Sequence, residues 1–276
     1  EPFAREFPDR YFNCGVAEQA MTGIACGVAM EGNIAITYSI ANFPTLRCLE
    51  QIRNDVCYHN ANVKIVIIGG GMAYGPLGIS HHSTEDLAIL RALPNLVVLA
   101  PSDAAEARAA TRAMIAHDGP VYYRCGYKKE PPIHAGPIDF TIGKALAVRD
   151  GKDATIIYTG TIGAQALAAA DDLARSGIRC RLLSMHTIKP IDREAIQAAA
   201  RETGAILTVE EHNLIGGLGS AVAEVLMDAG ARSVPCRRLA LPDVNVSLVG
   251  SQGWLLEQYG LTARHIAQAV KGLLGR

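Results

Sequence analysis

Two successive α/β domains, each carrying a mostly parallel sheet, are predicted by three features of this sequence. Short apolar runs of strand length alternate with longer segments of helical character from one end to the other. The 276 residues suit two domains, and a hydrophobic fraction of 49% supplies a core for each. A single segment, 127–137, breaks the alternation with Lys128, Lys129, Pro131, Pro132, Gly136 and Pro137, a composition that reads as a linker. The domains are therefore placed at 1–130 and 138–276.

In the first half, residues 15–30 read as a helix whose small residues (Ala17, Gly23, Ala25, Gly27 and Ala29) permit close packing. A strand at 34–38 and a helix at 45–59 follow. Val63-Lys64-Ile65-Val66-Ile67-Ile68 is the clearest strand, nearly all apolar and β-branched, as in a parallel sheet covered on both faces. The Gly-rich loop 69–83 comes next, and Thr84 is expected to cap a helix at 85–91. Glu85 and Asp86 then occupy the first turn, where the helix dipole favours acids. Pro94 ends that helix, 96–100 is a strand, Pro101-Ser102-Asp103 opens a helix to about 117, and 121–124 is a strand. Beyond the linker, strands are predicted at 154–158, 178–184, 205–209 and 237–241, with helices at 162–175, 193–202, 218–227 and 262–274. No short repeat or low-complexity tract interrupts the pattern.

Charge and composition exclude several function classes. A net charge of −1 gives no footing for nucleic acid or an anionic membrane surface. No apolar run reaches spanning length, and the first residues lack a signal-peptide pattern. The seven cysteines are scattered without CxxC spacing, so they read as reduced thiols of a cytoplasmic protein and not as a disulfide framework or zinc site. Cys14 reads as a packing residue.

Chemistry is carried by an ordered set of segments. Glu18 lies near a helix start in Asn13-Cys14-Gly15-Val16-Ala17-Glu18-Gln19-Ala20-Met21. A carboxylate among small and apolar residues is costly to bury without a partner; by position alone it reads as a cap or surface acid. Downstream come Asn42-Phe43-Pro44-Thr45-Leu46-Arg47, then Gly75-Pro76-Leu77-Gly78-Ile79-Ser80-His81-His82-Ser83-Thr84-Glu85-Asp86-Leu87 with Arg91 and Pro94-Asn95. Pro101-Ser102-Asp103 through Arg124 continues the series, and Val209-Glu210-Glu211-His212, Gly216-Gly217-Leu218-Gly219 and Glu224 close it. One such segment is weak. In this order the set closely resembles the pyrimidine-binding and C-terminal domains of transketolase-like thiamine diphosphate enzymes, over almost the whole chain.

The resemblance implies roles for particular residues. Glu18 matches the glutamate that bonds a ring nitrogen of the cofactor's aminopyrimidine. That bond favours the imino tautomer, whose exocyclic nitrogen takes the thiazolium proton. Phe43, with Tyr38 second, is the candidate to stack on the pyrimidine, although Phe43 also reads as a core residue. Ile40 stands near where many members carry another aromatic, and Arg47 completes the cofactor-binding set. His81 matches the histidine that reaches ketose hydroxyls. His82 beside it reads either as substrate-binding or as packing. Arg124 matches an arginine that holds a substrate phosphate, a task suited to its planar fork, with a structural ion pair as the competing reading. Glu210, Glu211 and His212 read as structural, and Gly216-Gly217-Leu218-Gly219-Ser220 as a structural turn.

Departures from the family limit the substrate. Leu77 stands where transketolases carry an aspartate that reads a substrate hydroxyl, and Gly69-Gly70-Gly71 stands where they carry a phosphate-contacting histidine. Without a polar partner the site discriminates poorly for that hydroxyl, so a modified or non-phosphorylated sugar enters consideration. The Gly-Asp-Gly motif that holds the diphosphate and Mg2+ in this family does not occur. The resemblance therefore implies a partner subunit carrying that half, no metal ligand here, and an α2β2 assembly. The start of the chain near Glu18 is expected to leave out the strand that opens this domain. The implied activity is transfer of a two-carbon ketol unit from a ketose to an aldehyde. The alternatives are a 2-oxo acid dehydrogenase E1 β-type subunit and a non-catalytic assembly subunit.

Overall fold

A computed structural model describes residues 2–127, 130–230 and 234–276. Two five-stranded sheets, each flanked by helices, form the two halves. The chain opens with the short helix α1 (Pro2–Glu6) and a 3-10 turn, Pro8–Arg10, before α2 (Glu18–Met30). Strand β1 (Ala35–Ile40) lies at the sheet edge. The predicted helix over 45–59 is instead composite: a 3-10 turn, Leu46–Cys48, the short α3 (Leu49–Gln51), and wide π-type turns over Ile52–Cys57. Its bonds skip five residues, as from the Tyr58 N–H to the Arg53 carbonyl at 3.1 Å.

Strand β2 (Val63–Ile68) has the predicted bounds and pairs in parallel with β1 on one side. Its single polar residue, Lys64, is fully buried and donates to the His117 and Gly119 carbonyls, both at 2.7 Å. Burial lowers its pKa to about 8. Helix α4 (Asp86–Arg91), β3 (Val97–Leu99), α5 (Ala104–Ala116) and β4 (Val121–Cys125) follow, with β4 inserted between β2 and β3. Asp103 caps α5 by accepting the Glu106 N–H at 2.9 Å, as its position predicts. Thr84 does not cap α4. Glu85 is the N-cap without a side-chain bond, and the Thr84 hydroxyl donates to Glu85 at 2.8 Å.

The second half contains β5 (Leu146–Arg149), β6 (Ala154–Thr159), α6 (Gly163–Arg175), β7 (Cys180–Ser184), β8 (Thr187–Lys189), α7 (Arg193–Glu202) and β9 (Ile206–Asn213). It closes with α8 (Leu218–Asp228), β10 (Cys236–Leu241), α9 (Gln252–Gln258) and α10 (Ala263–Leu273). The order is β10-β9-β6-β7-β5, parallel except for β5 at the edge. Three of these elements, β5, β8 and α9, are not predicted from the sequence.

Strand β8 crosses the boundary between halves. It pairs antiparallel with β3 and completes the first sheet as β1-β2-β4-β3-β8. The connecting segment is likewise tied down, because the Ile133 and His134 N–H groups donate to Asp103 at 2.8 and 2.9 Å. Lys128 and Lys129 of the predicted linker lie outside the described residues. The two halves thus share a sheet as well as a seam.

Candidate active site

Glu18 is the first residue of α2, where the aligned peptide dipoles favour a carboxylate. It is 7% exposed, so burial demands a partner. The Arg47 guanidinium supplies one, with Nη1 at 2.7 Å from Oε2, while Oε1 accepts no hydrogen bond among the described residues. The Gln19 amide donates to the Arg47 carbonyl at 3.1 Å and fixes the arginine's turn against the helix. A buried acid with one oxygen tied and one open is prepared to accept a proton donor.

A row of rings continues from this pair. The Arg47 guanidinium carbon lies 4.8 Å from the centre of the Phe43 ring, a cation–π distance. Phe43 meets His81 edge-on at 5.3 Å between centroids, His81 is 6.0 Å from Tyr74, and Tyr74 is 4.4 Å from Tyr127. The Ser80 hydroxyl sits 3.0 Å from His81 Nδ1 and orients the imidazole. Four separate loops after strand ends or before helices converge here, where parallel sheets hold their ligands.

Backbone geometry fixes the loop that carries His81. Gly71 and Ser83 bridge across its neck with N–H to carbonyl bonds of 3.0 and 2.8 Å. Inside it, a 3-10 turn at Gly75–Leu77 and Gly78 at φ 73° reverse the chain. The Asn42 amide donates to the His82 carbonyl and approaches the Ile79 carbonyl at 3.5 Å, which joins the Phe43 loop to the His81 loop.

The triple glycine has a steric cause. A Cβ on Gly69 would lie 2.2 Å from the Tyr74 ring, one on Gly70 2.8 Å from Arg124, and one on Gly71 2.7 Å from Glu211. Gly69 at φ 90° and Gly71 at φ 69° also adopt backbone conformations that side chains disfavour. The space that a histidine would need is already filled.

The other predicted residues divide between rim and interior. Tyr38, on the exposed edge strand, is 61% exposed, Leu77 is 53% exposed, and Ile40 is half-buried. Cys14 is half-buried and unpaired. His82 is fully buried, and neither ring nitrogen has a hydrogen-bond partner among the described residues. Burial pushes its pKa down, with the nearby Gly75 backbone opposing, so the imidazole is held neutral inside the loop and away from the rim.

Arg124 does not join the open row. It is 4% exposed, and its guanidinium bonds Asp86 Oδ2 at 2.8 Å, the Ser83 carbonyl at 2.8 Å and the Glu211 carbonyl at 3.1 Å. Tyr122 also donates to Asp86, at 2.5 Å. Although burial works to raise the Asp86 pKa, Arg124, His212 and Tyr122 hold it below the usual carboxylate range. The ion pair with Asp86 is thus present, and Arg124 is almost wholly enclosed.

Around Arg124 the halves are sewn together by residues that read as structural in the sequence. Glu210 accepts the Leu218 and Gly219 N–H groups at 2.7 and 2.8 Å and so caps α8. Glu211 accepts the Met72 N–H at 2.5 Å and the Gln252 amide at 2.9 Å, and burial raises its pKa to about 7. His212 accepts the Ala88 N–H at 3.3 Å. Arg91 donates to the Gly216 carbonyl at 2.5 Å and clasps Glu224 with both Nη atoms.

Sequence reading missed Tyr74, Tyr127 and Asn42. The three glycines carried a signal for the first, since a run without side chains invites a large neighbour; Asn42 stands in the segment quoted with Phe43 but carried no role there, and nothing in the sequence marks Tyr127. Among the described residues, no group of three or more His, Cys, Asp or Glu is placed to hold a metal ion, and no helix is long and apolar enough to cross a membrane.

Comparison with known proteins gives the same outline. The family model of the transketolase pyrimidine binding domain matches residues 1–127, and that of the transketolase C-terminal domain matches residues 143–266. The chain is 40% identical over 267 residues to an apulose-4-phosphate transketolase subunit of Phocaeicola vulgatus, covering 96% of this chain and 84% of that one. It is 41% identical over 267 residues to the 6-deoxy-6-sulfo-D-fructose transketolase subunit SqwH of a Clostridium species, covering 97% and 82%. A split-gene transketolase solved as an inactive β4 tetramer superposes with a TM-score of 0.89 at 42% identity, covering 99% of this chain and 86% of that one.

Proposed function

Because this chain belongs to the transketolase family, we propose that it is the pyrimidine-binding subunit of a two-component, thiamine diphosphate-dependent transketolase. It transfers a two-carbon ketol unit from a ketose to an aldehyde. The observation that carries this reading is Glu18: a buried acid, tied to Arg47 through one oxygen and joined through Phe43 to His81. The domains run over 1–130 and 138–276, with β8 returned to the first.

The residues present fit the cofactor's pyrimidine end. Glu18 Oε1 is open to a ring nitrogen, and the half-buried Phe43 offers a ring face. Thiamine diphosphate, when bound, supplies the electron sink for cleaving the carbon–carbon bond beside the ketose carbonyl. Glu18, held in position by Arg47, would accept a hydrogen bond from that ring nitrogen and so stabilise a proton on it. In the tautomer in which Ser80 donates to Nδ1, His81 carries its proton on Nε2 and can donate it in a hydrogen bond to a substrate hydroxyl. Phe43 and Tyr74 flank that imidazole and limit its rotation.

The diphosphate and Mg2+ are assigned to a separate N-terminal subunit, in an α2β2 assembly. Exposed apolar residues on α2 (Ile24, Val28 and Met30) and on β1 (Ile36 and Tyr38) support a docked partner. The seven unpaired cysteines fit a cytoplasmic setting. Relatives named for apulose 4-phosphate and 6-deoxy-6-sulfofructose, together with Leu77, favour a ketose altered at its far end over the common pentose and hexose phosphates.

Replacing Glu18 by Gln tests this directly in the reconstituted complex. Turnover should fall on the order of 10²–10³-fold or more, with assembly intact by sedimentation. Near-normal ketose turnover by Glu18→Gln removes the proposal. Consumption of pyruvate in place of ketose moves the chain to the E1 β-type alternative, and turnover without this chain makes it an assembly subunit.

A further inference from the structure

The row of rings extends past His81 to a residue for which the reading above has only a flanking role. Tyr74 is half-buried at the start of the 3-10 turn Gly75–Leu77, and its carbonyl accepts the Leu77 N–H at 2.8 Å. Its ring lies over Gly69, 6.0 Å from His81 and 4.4 Å from Tyr127. The bridge between Gly71 and Ser83 closes the loop on which Tyr74 and His81 both stand, so their spacing is set by one rigid segment. The Tyr74 hydroxyl has no hydrogen-bond partner among the described residues. Burial, and then Tyr127 and Tyr38, raise its pKa, which keeps it a protonated donor. Gly69 is bare because this ring occupies its side-chain space, so the chain has given up a side chain at the strand end to seat a phenol there.

We propose that Tyr74 is a specificity-determining residue that reads the end of the sugar remote from the transferred carbons. Its ring packs on the sugar's C–H face, and its hydroxyl donates to a distal oxygen. The inference rests on the transketolase reading and deepens it. Along the contacts Glu18–Arg47–Phe43–His81–Tyr74, the activating acid stands at one end and Tyr74 at the other. Tyr74 is the next ring after His81 in this series, within reach of the remaining carbons of a substrate that His81 holds by its reacting hydroxyls. With Leu77 on the same loop offering no acceptor or donor, the Tyr74 hydroxyl is the polar group this loop presents beyond His81 among the described residues. The ligand class is a polyhydroxylated chain with an oxygen acceptor at its far end.

The experiment compares two donors in the assembled complex. One is the ketose turned over fastest from a panel of four- to six-carbon ketoses. The other is hydroxypyruvate, which loses carbon dioxide to leave the same two-carbon unit and has no chain beyond the cleaved bond. Tyr74→Phe keeps the ring over Gly69 and removes only the hydroxyl. It should raise KM for the ketose about five- to tenfold, the loss of one hydrogen bond, and leave kcat and the hydroxypyruvate reaction within about twofold. Tyr74→Ala also removes the ring beside His81, so it should raise the ketose KM further and slow the hydroxypyruvate reaction less than the ketose reaction. Equal loss with both donors, or no loss with the ketose, overturns the assignment. A wild-type complex that turns over hydroxypyruvate but none of the ketoses, or neither, refutes the donor reading itself, a result distinct from any pattern the Tyr74 variants produce.

Discussion

Arg47 and Arg124 both lie in loops or strands at the open end of the first sheet, yet they belong to regions of opposite character. Arg47 is half exposed, pairs with one oxygen of Glu18 and rests on Phe43. Arg124 is enclosed and is bonded to Asp86, Ser83 and Glu211. Around the first, Glu18 Oε1 and the Tyr74 hydroxyl lack protein partners among the described residues; around the second, the guanidinium itself is spent on three acceptors, although Asp86 Oδ1 and the Ser83 hydroxyl lack partners there. What separates a site from a seam here is therefore the exposure of the arginine and the number of bonds it already makes, and residue type does not tell them apart. A seam of this kind gives the open row its rigidity, because the Gly71–Ser83 neck is pinned from below by Arg124 and from the second half by Glu211.

The largest expected effect comes from cutting the seam at its centre. Arg124→Ala leaves Asp86 buried without its cation and should cost about 3–5 kcal/mol of stability. Arg47→Ala, half exposed itself but the partner of a buried acid, should cost less, about 1–3 kcal/mol, while depressing turnover. Chemical denaturation of both variants sets the two numbers side by side. An Arg124→Ala protein of wild-type stability, with a raised KM confined to phosphorylated ketoses, would reverse the assignment and return Arg124 to the substrate.

A second effect follows from Glu211, whose carboxyl binds its proton more tightly folded than unfolded. Its pKa rises from 4.5 to about 7 because burial disfavours the anion. The folded state therefore holds the extra proton between these values, and stability from this group is full below about 4.5 and is lost as pH rises through about 7. The span amounts to roughly 3 kcal/mol at most. His186 acts in the opposite sense, since burial lowers its pKa to about 4 and stability from it is lost as pH falls. Melting temperatures of wild type and Glu211→Gln across pH 4–8 isolate the glutamate. The variant should gain on wild type steadily from pH 4.5 to 8, and parallel curves would show that Glu211 is ionised throughout.

Much of this contrast could be read in advance, and the part that could not has physical reasons. Strand β2 was legible because a strand covered on both faces must be apolar along its length, and α5 because Asp103 and Pro101 mark its start. Glu18, Phe43 and His81 were legible only as an ordered set, since each alone is ordinary chemistry. Strand β8 was not legible: three residues are too few to show alternation, and their partner β3 lies in the other half of the chain. The fate of Arg124 was hidden for a related reason. Whether a guanidinium is spent depends on the Ser83 and Glu211 carbonyls, and backbone groups of distant segments leave no mark in the sequence.

The smallest effect on stability, and the one that most sharpens the boundary between rim and seam, belongs to Leu77. It is 53% exposed on the 3-10 turn beside Tyr74 and contributes little to any core. Leu77→Asp should therefore change stability by no more than about 0.5 kcal/mol. Its effect should fall on selectivity, because a new acceptor beside His81 can bond a substrate hydroxyl that the wild-type loop leaves unmatched. A site built to bond a hydroxyl rejects the analogue that lacks it far more strongly than an apolar wall rejects an added one. The variant should thus improve kcat/KM for ketoses bearing that hydroxyl relative to their deoxy analogues, measured as a ratio within one preparation. An unchanged ratio would mean that residue 77 stands outside the substrate's reach, and that Tyr74 and His81 alone form the wall on this side.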